Sequence, residues 1–463
     1  MKSFLGYHSE WNLGSPGGWD YQRITQIIGK SVWNMLRKHF PPEFKPDFDH
    51  QLLHPVNAFV EMLKEAHFIK EGTKRGLIVV MAEKETLEDV IENRNLVSHL
   101  NAIRGLKSVL IAPHELEISD DRVCYRKEPV SVIFMDFNTN VLLDLHHKYK
   151  LDPVLRAVRE GRVINPRGTE PINSKGLFEV LTQPARSGYF HKETVQRTPW
   201  TRQFFPRSTS GPAGQQIPDL VEWTRKNWDH LVLKPERGYS GKGVKVGGIH
   251  NNTDEIIDMA LADGAYIVQE KIPLELWSEK IPEPDHENHT VNESVRQTDF
   301  RCLFGMNNLF GFLGRYGGVP TNVGSGGGVQ PLAVIPASLD VRQATDLINK
   351  TILALGYREA SEILAYQDQL AMKHRLTYLL GPIRLALRPR LINIRQINAL
   401  KKYCSGIWAD CLTLEKMWEK GSLGIRIVID EKEMEIIKSQ RWRGSPAIFA
   451  SDGLFSFGAH LSI

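Results

Sequence analysis

The apolar run Leu231-Val232-Leu233 delivers Lys234, and a glycine-rich turn follows at once, Gly238-Tyr239-Ser240-Gly241-Lys242-Gly243. Glycines tolerate positive φ and let backbone N–H groups approach an anion, while the lysine adds a point charge. The pair therefore reads as a phosphate cradle on a strand–turn–strand unit. Neither common nucleotide fingerprint applies. Lys242 is followed by Gly243 where a Walker A loop needs Ser or Thr, and the glycine spacing does not fit a dinucleotide fold. Taken alone, the loop is explained equally well as a glycine-rich hairpin serving only the fold.

Later segments carry groups suited to the same ligand. Tyr266-Ile267-Val268-Gln269-Glu270 is a strand ending in a polar pair, placed to offer backbone groups and a carboxylate to a base edge and a ribose. Arg301 and Arg315 are expected on neighbouring strands, where two guanidiniums can clamp phosphoryl or carboxyl oxygens. Asn322 opens a turn that runs to Gly326-Gly327-Gly328. Three consecutive glycines cost backbone entropy, which a close approach by a ligand would explain.

These segments need a scaffold, and periodicity supplies one. Helical spacing covers about 20–40, 56–70, 86–103, 340–356, 358–380 and 393–418, and another helix is expected to start near 173–175. Strand-like runs lie at 77–81, 108–112 and 130–134, with a hairpin near Asp120-Asp121. This order points to a small α/β layer with parallel strands. Asp452-Gly453 between apolar residues reads as a terminal hairpin turn. The polar, breaker-rich stretch 282–290 reads as a flexible segment.

Composition sets bounds. With 41% apolar and 24% charged residues, the chain is ordinary globular protein, long enough for two or three domains. A net charge of +4 from 58 basic and 54 acidic side chains gives no ground to expect a nucleic-acid partner. Cys124, Cys302, Cys404 and Cys411 lack metal-site spacing. There is no signal-type apolar run and no window of about 18 apolar residues, so a cytoplasmic protein without a membrane partner is expected. The basic stretch Arg375, Arg384, Arg388, Arg390, Arg395, Lys401 and Lys402 reads as a solvated helical face, with contact to an anionic substrate or RNA as the alternative.

In their order along the chain these segments resemble the ATP-grasp ligases, specifically the circularly permuted group similar to glutathionylspermidine synthetase. The stretch from Leu155 to Thr169, followed by Lys175, resembles that family's entry into its nucleotide domain with a first phosphate-binding lysine. Lys234 and the loop from Gly238 to Gly243 resemble the second lysine and the mobile lid. Gln269-Glu270 falls at the adenine hinge, and Arg301, Arg315 and Asn322 to Gly328 resemble the later arginine strands and glycine turn. The family's Glu-x-Asn metal pair is matched by Glu10-Trp11-Asn12 at the opposite end of the chain, which a permutation explains. Two residues apart on a strand, both side chains project to one face, and magnesium takes such oxygen donors. A further acidic ligand of the family has no match before Glu10; Asp452 and Asp299 are the alternatives.

The resemblance implies an α/β (α+β) ATP-grasp fold, circularly permuted, in four parts. Residues 1–75 would carry the metal-binding strand and helices, and 76–165 a small pre-ATP-grasp α/β domain. Residues 166–335 would form the nucleotide-binding region, and 336–463 a helical C-terminal region with a terminal hairpin. The cofactors implied are ATP and Mg2+. ATP would be held by Lys175, Lys234, Gly238, Ser240, Gly241, Gly243, Gln269, Glu270, Asn322, Gly326 and Gly327, and the metal by Glu10 and Asn12. Arg315 and Arg301 would be catalytic. The reaction would join a small-molecule carboxylic acid to an amine (amino acid, peptide or polyamine) through an acyl phosphate. The incomplete acidic set favours one rival, a non-catalytic nucleotide-binding scaffold; a second is a phosphotransferase stopping at a phosphorylated product. Monomer and homodimer both stay open.

Overall fold

The computed structural model describes residues 6–238, 241–319, 321–378 and 381–454. Strand β1 (Tyr7–Asn12) leads through a glycine-containing turn into helix α1 (Trp19–Leu36), followed by α2 (Pro55–Glu71). The N-terminus of α1 is capped from a distance. The Glu92 carboxylate accepts hydrogen bonds from the backbone of Gly18, Asp20 and Tyr21 at 2.7–2.9 Å, satisfying amides that have no partner within the helix.

The expected α/β layer comes next. It contains β2 (Gly76–Met81), α3 (Ile91–Asn101), β3 (Leu106–Ile111), β4 (Glu117–Ser119), β5 (Arg122–Tyr125), β6 (Glu128–Met135), α4 (Thr139–Tyr149), α5 (Asp152–Arg159) and β7 (Val163–Ile164). β3, β2, β6 and β7 pair in parallel, and the β4–β5 hairpin extends the sheet antiparallel from β6. Asp120 and Asp121 both take positive φ, 47° and 59°, as a tight two-residue hairpin requires. Residues 77–81 are all buried, the continuous apolar run typical of a parallel sheet covered on both faces.

After α6 (Leu177–Thr182) and α7 (Lys192–Arg197) comes a small antiparallel sheet. Its members are β8 (Thr201–Gln203), β9 (Leu231–Pro235), β10 (Lys245–Val246) and β11 (Tyr266–Glu270), in the spatial order β10-β9-β11-β8. Helices α8 (Leu220–Lys226) and α9 (Thr253–Asp263) cover one face, with Leu220, Ile257 and Ala260 packed on Leu231, Leu233 and Val268. Pleating turns the alternate residues of β9, Val232 and Lys234, to the other face.

The large sheet combines distant parts of the chain. After β12 (Ser278–Asp285), β13 (Thr290–Gly305), β14 (Asn308–Gly317) and β15 (Gly328–Gln330) come β16 (Leu332–Ile335), α10 (Val341–Ala354), α11 (Tyr357–Lys373), β17 (Arg390–Asn393), α12 (Ile394–Glu419), α13 (Glu431–Ser439) and β18 (Phe449–Leu454). The order is β1-β18-β13-β14-β15, with β12 also on β13 and β16 paired in parallel with β17 elsewhere. Leu400, Tyr403, Ile407 and Leu414 of α12 share a buried cluster with Phe304, Phe312 and Phe449 of the sheet.

Three expectations are corrected. Asp452-Gly453 makes no hairpin turn: both residues lie inside β18, with Gly453 opposite His8 on one side and Phe300 on the other. Pairing along both edges overrides the local turn preference. Residues 282–290 form the end of a β12–β13 hairpin, where the Asp285 carboxylate accepts from the Glu287 and Asn288 amides at 3.0 and 3.1 Å. Pro282 and Pro284 fit because β12 is an edge strand. Finally, α11 ends at Lys373, and Arg388 and Arg390 are fully buried on either side of the Glu279 carboxylate instead of lying on a solvated helix.

Candidate active site

A cleft separates the free face of the small sheet from the large sheet, and Lys234 projects into it from β9. Its ammonium donates to Gln269 Oε1 at 2.8 Å and to the Ser9 carbonyl at 3.4 Å, linking the two sheets. Gln269 is itself fixed, since its amide nitrogen donates to Thr201 Oγ1 at 2.9 Å. Burial pushes the Lys234 pKa down to about 8, against the opposing charge of Glu10.

Lys175 approaches from the segment before α6. Its backbone amide donates to Glu236 O at 3.0 Å, and its ammonium lies 3.0 Å from Gly238 O and 3.5 Å from a Glu10 carboxylate oxygen. Beneath it, Glu236 is buried, with its carboxylate held by Ser174 Oγ at 3.1 Å and Gln203 Nε2 at 2.7 Å. Burial pushes this carboxyl up to about 7, against those two hydrogen bonds.

The third wall is a lattice of charges on the large sheet. Arg301 grips Asp452 through two bonds of 2.6 and 2.7 Å and also donates to Gly17 O at 2.8 Å. Arg315 reaches Asp299 at 2.7 Å, Asp452 at 3.3 Å and Asn322 Oδ1 at 3.3 Å, and Thr321 donates to the second oxygen of Asp299. Burial opposes the charge on Asp452, but the two guanidiniums outweigh it and hold the pKa down to about 2. Glu10 lies opposite Asp452 across the strand pair, and Asn12 Nδ2 is 3.4 Å from Asp452 Oδ2.

Of the residues singled out in the sequence, Glu10, Lys175, Lys234, Gly238, Gly241, Gln269, Glu270, Arg315 and Asn322 line this one cleft. Asn12 and Arg301 stand behind Asp452. Gly243 closes the hairpin, and a Cβ there would meet Pro235 Cγ at 2.8 Å. Gly326 and Gly327 do not line the cleft. The close approach at Gly327 is made by the chain's own backbone, since a Cβ would lie 2.0 Å from Thr321 O. Ser240 lies outside the described residues.

Sequence reading missed the apolar end of the cleft, formed by Val232, Val246, Ile272, Leu274 and Trp277. Strand alternation in Leu231–Lys234 could have pointed to Val232; the others carry no local signal. Asp452 and Asp299 are engaged by arginines; Glu10 and Glu270 are the carboxylates facing the cleft without such pairing, and Asn12, beside Asp452 on the strand of Glu10, supplies the second donor of the β1 pair. Among the described residues, no group of three or more His, Cys, Asp and Glu forms a metal cage. Two donors fit a magnesium ion that takes its remaining oxygens from phosphates and water. No described helix is long and apolar enough to cross a membrane.

Neither protein-family models nor curated proteins match the chain. Among solved structures, a glutathione synthetase-like effector from Globodera pallida aligns at 14% identity over 70% of this chain, with a TM-score of 0.38. The match spans 65% of that effector, just under two thirds of its length. A RimK-domain ATP-grasp protein from Sphaerobacter thermophilus aligns at 16% identity over 47% of this chain and 70% of its own (TM-score 0.27). A D-alanine–D-alanine ligase from Bacillus anthracis aligns at 12% over 74% and 99% (TM-score 0.29). With likeness this low, the functional reading rests on the cleft.

Proposed function

We propose that the chain is an ATP-dependent carboxylate–amine ligase with a circularly permuted ATP-grasp architecture, of the kind similar to glutathionylspermidine synthetase. The supporting observation is convergence. Lysines from two separate segments, a glycine-rich hairpin, an arginine lattice and a Glu-x-Asn strand meet around one cleft between two antiparallel sheets. In this reading β1 precedes the nucleotide segments in sequence yet sits beside β18 in the sheet, as a permuted order requires. The part boundaries at 75, 165 and 335 belong to the same proposal.

The base would occupy the apolar end near Val232, Ile272 and Trp277, with Glu270 at its edge. Lys175 and Lys234 would hold the phosphates, and the loop from Gly238 would close over them and exclude water. Magnesium, held by Glu10 and Asn12 with the phosphates, would neutralise charge on them. An acid substrate's carboxylate oxygen attacks the γ-phosphorus as the bond to the β-phosphate oxygen breaks, leaving ADP and an acyl phosphate. The amine then attacks the acyl carbon, phosphate departs, and the amine loses a proton. Arg315 is placed to stabilise the transferring phosphoryl group.

Release of ADP in the presence of pooled carboxylic acids, with hydroxylamine as trap, tests this directly. ATP-dependent hydroxamate formation is the expected result. ATP binding without ADP or hydroxamate would leave the scaffold reading instead. Glu10→Gln is expected to raise the half-saturating magnesium concentration about tenfold; an unchanged titration removes Glu10 from the metal site.

Lys234 also confers a pH dependence. Phosphates favour its charged form, and the free protein loses that charge above about pH 8. Metal-free ADP affinity should therefore fall by up to about tenfold per unit as pH rises above 8. Calorimetry on Lys234→Arg should give a flatter profile, and an identical fall in both proteins would place the titration elsewhere.

A further inference from the structure

Which way Glu10 and Asn12 face is decided by a bulge. On β1, His8 lies opposite Gly453 and Glu10 opposite Asp452, so β1 advances two residues for one on β18. In an unbroken strand Glu10 would share the side of His8. The extra residue reverses the facing of the side chains beyond it. His8 and Trp11 both turn into the core against Phe178, with ring centroids 5.1 and 5.2 Å from it, while Ser9 and Glu10 line the cleft.

The residue just before the bulge is held with unusual completeness. His8 is fully buried, and both ring nitrogens are bonded, Nδ1 to Tyr403 Oη at 2.6 Å and Nε2 to Thr198 Oγ1 at 2.7 Å. Thr198 gives its hydroxyl hydrogen to Thr194 O at 2.8 Å, so Nε2 must carry the ring proton and Nδ1 must accept from Tyr403. Tyr403 Oη can then accept from Ser451 Oγ at 3.1 Å, one residue before Asp452. One directed chain of hydrogen bonds thus ties β1 to β18, to α12 and to the end of α7.

We propose that His8 is a positioning residue of the metal site: its two hydrogen bonds to Tyr403 and Thr198 lock the β1 bulge, and the bulge presents Glu10 and Asn12 to a divalent cation on a bound nucleotide. This rests on the nucleotide reading of the cleft. The larger effect falls on the metal, because the lysines sit on other segments and meet β1 only where Lys234 reaches Ser9 O and Lys175 lies beside Glu10. It also assigns a role to a side chain that touches neither ligand.

The test uses the full chain as wild type, His8→Phe, His8→Gln and Tyr403→Phe, each checked by circular dichroism and thermal melting. ADP affinity without metal is measured by calorimetry, and Mn2+ affinity in the ADP complex by electron paramagnetic resonance. Tyr403→Phe and His8→Phe should weaken Mn2+ binding about tenfold and leave metal-free ADP affinity within about twofold of wild type. His8→Gln should recover most of the loss, since a carboxamide offers one donor and one acceptor at a similar separation. If His8→Phe does not fold, Tyr403→Phe carries the comparison. Unchanged Mn2+ affinity in the folded variants, or equal losses of metal and nucleotide, would overturn the positioning role. A wild type that binds ADP but no Mn2+ overturns it too. A wild type that binds no ADP removes the nucleotide reading and the metal site with it, which the wild-type data alone reveal.

Discussion

Lys234→Met is expected to lower ADP release by about 10²–10³-fold or more while leaving a folded protein. The Lys234 ammonium is held between Gln269 Oε1 and Ser9 O, so its charge is already aimed when a triphosphate arrives. Such preorganised charge needs no rearrangement during reaction. Stability should not explain the loss. The folded-state pKa of Lys234 is depressed to about 8 by burial, so between pH 8 and its unfolded value the unfolded chain holds more protons and stability rises with pH. At pH 7 the buried charge is a burden on the ligand-free protein, and removing it should leave the urea midpoint equal to or above that of wild type. Near-normal turnover in the variant, or an unfolding free energy lowered by several kcal/mol, would break the assignment.

Asp452→Ala should cost about 3–5 kcal/mol, because it removes the carboxylate that the buried Arg301 grips and leaves Arg315 with Asp299. Arg301 and Arg315 both end on Asp452, and their side chains are only 12% exposed. The acid dependence has a definite sign. With its folded pKa held at about 2, Asp452 contributes fully above the unfolded value of 3.8, and that contribution is lost as pH falls through about 2. The gap between wild-type and variant urea midpoints should therefore be widest near neutrality and narrow between pH 4 and 2. A loss under about 1 kcal/mol at pH 7 would mean that the arginines find other partners, and Asp452 would not organise the lattice.

Legibility in the sequence tracked the range of the forces involved. The parallel layer over 76–164 was readable because buried strands need unbroken apolar runs and the helices between them need a 3.6-residue period. Lys234 and its glycines were readable because strand and turn chemistry is local. The neighbour of Gly327 was not readable for a comparable reason: local composition says that something comes close, without saying that the backbone of Thr321 does. Arg388 and Arg390 looked like surface charge until Glu279, more than a hundred residues earlier, came to lie between them.

By itself the sequence determined the types of side chain that can meet phosphate and metal, and the short elements that carry them. It left open their mutual placement. Asp452 was one guess among two, and in the structure it is the common partner of Arg301 and Arg315, not an open ligand. The facing of Glu10 depends on a single extra residue in the pairing of β1 with β18, two strands at opposite ends of the chain. A two-residue period can say that Glu10 and Asn12 share a face. Only pairing register, set by packing of His8 and Trp11 against α6 and α12, decides which face it is, because one residue of slip sends every later side chain to the other side.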